Sequence, residues 1–247
     1  MKRIVAIGGG EIGRQGYQIE TQKIDEEIIR LSGKKSPLVL FIPTASGDSE
    51  GYISVFQNYF GKKLSCKTDV LLLNKNVSRD EIRNKILSSD IVYVGGGNTL
   101  KMIAIWKRFG VDKVLEEAWK KGIIMSGLSA GAICWFKFGH SDSQRFDAHP
   151  EWNFIKVKAL GWFNFIFCPH YHFEKREKGF ATMTRKNGGI GLAFDNKTAI
   201  EIINDKFRIL KSDDNAKAYR ILKKNGKVVT EELIAENLKP LTQLSQR

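Results

Sequence analysis

A serine set between glycines, Gly127-Leu128-Ser129-Ala130-Gly131, and a histidine further along in Pro169-His170-Tyr171-His172 are the residues best suited to chemistry in this sequence. A serine hydroxyl transfers acyl groups only when a base takes its proton, a partner fixes the tautomer of that base, and two donors meet the developing oxyanion. Each part has a candidate. Ser129 would attack and His170 would shuttle the proton, with Asp195 or Asp142 as the acid behind the imidazole. The N-H of Ala130 and those of Gly96 and Gly97, in the run Gly95-Gly96-Gly97-Asn98-Thr99, would hold the negative oxygen. Taken alone, the serine pentapeptide reads equally well as a plain βα turn. The glycine run could likewise cradle a phosphate, although it lacks the Walker lysine.

The flanking elements strengthen the catalytic reading. Ile123-Ile124-Met125 is an apolar run that reads as a strand feeding Ser129, and Ala130 to Phe136 reads as the helix that follows. The glycines two positions either side would permit a tight, strained elbow that presents the hydroxyl at a strand's carboxyl end. Trp162 to Cys168 reads as a strand delivering His170, and Ile190 to Phe194 as one delivering Asp195, so all three groups are expected on one rim of a parallel sheet. Asp195 is preferred to Asp142 because a strand end is a rigid platform, whereas Lys137 to Pro150 reads as an irregular polar loop. His140 and His149 in that loop read as solvated, and Asp147 there would serve a rival esterase order, Ser129, Asp147, His170.

The rest of the chain alternates strands and helices. Strands are expected at Lys2 to Ile7, Pro37 to Ile42, Thr68 to Leu73 and Ile91 to Val94. Between them come helices marked by Ile24, Ile28 and Leu31, by an aromatic stripe from Tyr52 to Phe60 opened by Asp48 and closed by Gly61, and by a capping box at Ser78-Arg79-Asp80-Glu81. Gly8-Gly9-Gly10 ends the first strand, but Gly13 and Gly16 fall at the wrong spacing for a dinucleotide fingerprint. Turn signals at Asn204-Asp205 and Asn225-Gly226 make the C-terminal strands antiparallel. With no repeat and no linker composition, residues 1–247 read as a single α/β domain.

Bulk properties narrow the function class. A net charge of +13 invites nucleic acid, but the basic residues are scattered in pairs such as Lys34-Lys35 and Lys120-Lys121, where solvated helix ends are the ordinary explanation. No apolar span reaches bilayer length and the start lacks a signal-peptide core, so a cytoplasmic protein is expected. Cys66, Cys134 and Cys168 form no CxxC pair, and no metal site is indicated.

In their order, Val94 to Thr99, Gly127 to Ala132 and Pro169-His170 resemble the successive signature segments of the peptidase E family, which includes aspartyl dipeptidases and is related to cyanophycinases. The resemblance covers the chain from the first strand to about Asn196. It implies a three-layer, mostly parallel, flavodoxin-like sheet shared with class I glutamine amidotransferases, with serine in place of their cysteine. It also implies metal-independent, cofactor-free hydrolysis of small peptides. Family preference for an N-terminal aspartate would require a cation in the pocket, for which Arg176 is the candidate, with Asn98 as a further substrate contact. The expected partner is a small peptide, with neither nucleic acid nor membrane; a homodimer is left open. The alternative of a different class is a noncatalytic binder that holds an anionic metabolite on the two glycine clusters or, through its basic surface, a nucleic acid.

Overall fold

The structure, a computed structural model, describes residues 1–73, 77–146, 151–224 and 226–246. In chain order the first half contains β1 (Arg3–Ile7), α1 (Gln22–Leu31), β2 (Leu38–Ile42), α2 (Glu50–Phe56), β3 (Lys67–Val70), α3 (Arg79–Ser88), β4 (Ile91–Val94), α4 (Thr99–Phe109), α5 (Val111–Lys121) and β5 (Ile124–Leu128). The second half contains α6 (Ala130–Ile133), β6 (Phe136–Ser141), β7 (Ile155–Lys158), β8 (Phe163–Cys168), α7 (Glu177–Asn187), β9 (Gly191–Phe194), β10 (Thr198–Ile203), β11 (Lys206–Lys211), β12 (Ala218–Lys224), β13 (Lys227–Glu232) and β14 (Lys239–Pro240).

The main sheet runs β14-β11-β10-β1-β5-β4-β2-β3. Its five strands from β1 to β3 pair in parallel, while β10, β11 and β14 add antiparallel. Reading from β3, the strands β3-β2-β4-β5 repeat the 2-1-3-4 portion of the flavodoxin order, and β1 takes the fifth place. The parallel strands read as near-continuous apolar runs because both of their faces are covered. On one face α1, α2 and a π-helical turn at Gln57–Lys63 enclose Val5, Ile7, Val39, Phe41 and Tyr93. On the other, Ile4, Leu40, Val92 and Met125 pack with Trp106 and Leu115 of α4 and α5. The aromatic stripe is core as expected, with Phe41 stacked on Phe56 at 4.2 Å, but its helix is capped by Ser49 rather than Asp48 and passes through Gly61. One arm of the capping box read at Ser78 to Glu81 is present, the Ser78 hydroxyl accepting from the Glu81 amide at 3.0 Å.

A second sheet, β13-β12-β9-β8-β6-β7, departs from the expectation of one rim. β8 and β9 lie in it, parallel to β6, rather than beside β5. The cause is local: α6 lasts only from Ala130 to Ile133, and the chain re-enters extended backbone at Phe136, so Lys137 to Ser141 is strand and not loop. Phe136, Phe163, Phe165, Phe167 and Phe194 from this sheet join the core of the main sheet, which binds the two sheets together. His140, read as solvated, is consequently buried. The Asn225-Gly226 turn is spanned by β12 and β13 as expected, although Asn225 lies outside the described residues.

Candidate active site

The elbow forms where the pentapeptide predicts it, with the strain on the serine itself. Ser129 has φ 55° and ψ −109°, between the end of β5 and the start of α6. Left-handed backbone at a residue carrying a Cβ is costly and tends to persist where its surroundings enforce it. Here the Ser129 amide donates to Ile7 O at 3.0 Å, and its carbonyl accepts from the amides of Ala132 and Ile133, both at 2.9 Å. The flanking glycines serve close packing. A Cβ at Gly127 would overlap the Gly131 carbonyl, and one at Gly131 would overlap the Val94 carbonyl.

His170 follows β8 and Pro169, also with positive φ, 50°. Its Nε2 lies 2.9 Å from Ser129 Oγ, inside the range for proton transfer. Ser129 and His170 therefore meet although they follow strands of different sheets. What joins them is the first glycine turn. His170 N donates to Gly8 O at 3.0 Å, Lys197 N donates to Gly9 O at 2.8 Å, and Gly8 N donates to Thr198 O at 2.8 Å, so Gly8 and Gly9 fasten the loop after β8 to the loop after β9.

The residue on the far side of the imidazole is Asn196, with Oδ1 2.6 Å from His170 Nδ1. Asp195, expected there, instead meets the exposed His172, accepting from its amide at 3.1 Å and lying 2.9 Å from its Nδ1. Successive residues past a strand end face opposite ways, and the turn after β9 sends Asp195 outward and Asn196 inward. Asp142 acts on His170 through space alone, and Asp147 lies outside the described residues, as does His149. Partial burial, followed by the positive charge of Arg176, holds the His170 imidazole below its ordinary pKa. Glu174, the Asn196 bond and Asp142 oppose that shift.

The oxyanion candidates surround the serine unevenly. A Cβ at Gly96 would stand 3.5 Å from Ser129 Cβ, so this turn flanks the nucleophile directly. The Gly96 amide donates to Tyr52 OH at 3.3 Å, which marks where that N-H points. Burial pushes the Tyr52 phenol up to about 12, so it stays protonated. Gly97, at φ 137°, abuts the Ala45 carbonyl, which a Cβ there would overlap.

Both proposed substrate contacts are committed elsewhere. Asn98 caps α4, its Oδ1 accepting from the Lys101 amide at 3.0 Å while its Nδ2 donates to Ser143 O at 3.2 Å. Arg176 is buried; its Nε and Nη2 donate to Glu174 at 3.0 and 2.6 Å, its Nη1 donates to His140 O at 2.6 Å, and its guanidinium covers Phe154 at 4.4 Å. His140, beside it, is held down to about 3 by burial and then by Arg176, which makes it a neutral core residue. Asn196, Gly9 and Tyr52 were not singled out from sequence. The signal for Asn196 was adjacency to the candidate acid, and the triple glycine was noted without a partner.

Cavities open on both sides of the 10–15 segment. One, of about 820 Å³, is lined by His170, Asn196, Glu174, Phe173, Tyr17 and Lys197 among others. The other, of about 540 Å³, is lined by Leu128, Tyr52, Ser46, Ser49 and Gln15, and shares Gly10, Glu11 and Arg14 with the first.

A strained serine in contact with an imidazole whose other nitrogen is engaged has the geometry that a nucleophile-base pair needs. The model of Peptidase family S51 matches residues 4–210. The chain belongs to that family. It is 40% identical over 227 residues to the uncharacterized peptidase YgaJ of Bacillus subtilis (strain 168), covering 90% of this chain and 93% of that one. It is 36% identical over 145 residues to the uncharacterized peptidase Lin0382 of Listeria innocua, 57% of this chain and 68% of that one. Among solved structures, a peptidase from an acI-B1 Actinobacterium superposes with a TM-score of 0.69 at 20% identity, covering 97% of each chain, and shares the fold. This S51 chain is thus a serine peptidase, and the family match spans most of its length.

Proposed function

We propose that this S51 peptidase hydrolyses small peptides through an acyl-enzyme on Ser129. The observation that carries the reading is the 2.9 Å approach of His170 Nε2 to Ser129 Oγ. His170 takes the hydroxyl proton as Oγ adds to the scissile carbonyl carbon, and returns it to the departing amine. Water, deprotonated by the same nitrogen, then releases the acid. The amides of Ala130 and of the Gly96 and Gly97 turn are the proposed oxyanion donors, Gly96 once its contact to Tyr52 gives way. A cavity of about 820 Å³ beside His170 is of a size to accommodate a short peptide.

Selectivity for an N-terminal aspartate is the finer form of this proposal. It requires the substrate carboxylate to displace Glu174 from Arg176, since that carboxylate now balances the guanidinium. The test is a dipeptide panel that includes Asp-X, run on the purified protein and on Ser129→Ala. Turnover by the parent should fall by about 10⁴-fold or more in the variant. A serine-directed phosphonate should label the parent alone. Turnover unchanged by the substitution would remove Ser129 as nucleophile, and hydrolysis of simple acyl esters without peptides would favour the esterase.

A further inference from the structure

The contact between His170 Nδ1 and Asn196 Oδ1 lies at the heart of the site. Nε2 of His170 faces the Ser129 hydroxyl at 2.9 Å and must be unprotonated to accept its proton, so the neutral imidazole carries hydrogen on Nδ1. That N-H needs an acceptor, and the group at 2.6 Å is the carbonyl oxygen of a primary amide, Asn196 Oδ1. The amide orientation is fixed by the same logic, because its NH₂ end would set donor against donor.

The contact is built in from three sides. Asn196 stands between Asp195, whose carboxylate also accepts from the Lys217 amide at 3.3 Å, and Lys197, whose amide donates to Gly9 O at 2.8 Å. Gly9 lies directly over the pair, and a Cβ there would overlap both Asn196 Oδ1 and His170 Nδ1. Only a residue without a side chain allows the first turn of the chain to close on the base.

We propose that Asn196, and no acid, is the third member of the triad: a positioning residue that fixes the tautomer and orientation of His170 under the Gly8-Gly9 clamp. The inference rests on the reading of Ser129 and His170 as nucleophile and base. An amide accepts the Nδ1 hydrogen bond as a carboxylate does but supplies no negative charge to favour the imidazolium that forms when the serine is deprotonated. The charges around His170 come from elsewhere: Arg176 and Glu174 in the turn before α7, and Asp142 after β6. The Asp195 carboxylate is engaged with His172, and Lys197 with Glu20 and Asp213.

The experiment follows the His170 imidazole by NMR titration of the full chain, assigned with His170→Gln, in the parent, Asn196→Asp and Asn196→Ala. Phosphonate labelling and peptide turnover are measured from pH 5 to 9. A carboxylate placed on Nδ1 should raise the imidazole pKa by about one unit or more. It should carry the acid limb of kcat/KM upward by the same amount. Asn196→Ala should lower kcat by about 10²- to 10⁴-fold with KM little changed. An imidazole titration unmoved by Asn196→Asp, or an Asn196→Ala variant within twofold of the parent, would overturn the proposal. Loss of activity in Ser129→Ala alongside an unaffected Asn196→Ala sinks the Asn196 role and spares the serine reading. Turnover surviving in Ser129→Ala sinks the serine reading, while the NMR titration still reports on the Asn196 contact.

Discussion

Ser129 and His170 both sit at positive φ, 55° and 50°, which is uncommon for residues with side chains. The neighbouring hydrogen bonds hold them there, to Ile7 O in one case and Gly8 O in the other, so the loop after β5 and the loop after β8 are aimed by the same N-terminal strand. Nearer solvent, His172 and Asp195 form a second pair, and their contact engages the Asp195 carboxylate away from the His170 imidazole. Asp195→Asn keeps an acceptor for the His172 and Lys217 amides and should leave kcat/KM within about threefold of the parent, whereas a triad acid replaced this way loses about 10⁴-fold. Parallel kinetics of Asp195→Asn and Asn196→Ala separate these neighbours. Asn98 and Arg176 teach a related lesson. Chemically they suit a substrate, yet a helix cap and a buried ion pair have already taken their polar atoms.

Among the elements, the turn after β1 has the widest reach. It ends a strand at the centre of the main sheet, and its carbonyls bind the backbone of loops that issue from the second sheet. Gly9→Ala is expected to force the imidazole away from Asn196 and lower kcat by about 10²-fold or more, with substrate KM changed far less. Rate measurements beside a urea melt distinguish this from general destabilisation, since an equal fraction folded with reduced kcat is the outcome foreseen. β6 shows how an element can be misread from composition. Phe136 reads as the end of a helix and Lys137 onward as a polar loop, yet pairing with β7 and β8 makes the segment strand. β7, Ile155-Lys156-Val157-Lys158, is a strand that the sequence reading did not include.

At the scale of the molecule, two sheets share one core, and the site lies where the loops of both converge. No helix among the described residues is long and apolar enough to cross a membrane. The core also holds a carboxyl group outside the site, Asp25, which accepts from Thr21 at 2.6 Å and from Tyr59 at 2.9 Å. Burial pushes its pKa up to about 7 against the opposing pull of those two donors. A carboxyl whose folded pKa lies above its unfolded value resists ionisation only in the native state. Its cost is therefore absent below about pH 4, grows as the pH rises toward 7, and then stays constant. Asp25→Asn, which cannot ionise, should become more stable relative to the parent between pH 5 and pH 8. Melting temperatures at those two pH values test this, and a constant difference would refute it.

Sequence alone determined the strand-helix alternation, the serine elbow, the histidine and the family, because apolar periodicity, glycine spacing and motif order are local properties of the chain. The strand end at Phe194 also points to Asp195, one residue before the side chain that meets the imidazole. The tertiary structure decided that β8 and β9 form a second sheet, that Gly8 and Gly9 join the two sheets at the site, and that Asn196 rather than Asp195 faces the imidazole. Those outcomes depend on strand pairing between distant segments and on which way a turn rotates after its strand. Neither is encoded in the spacing of residues along the chain; both follow from what packs against them.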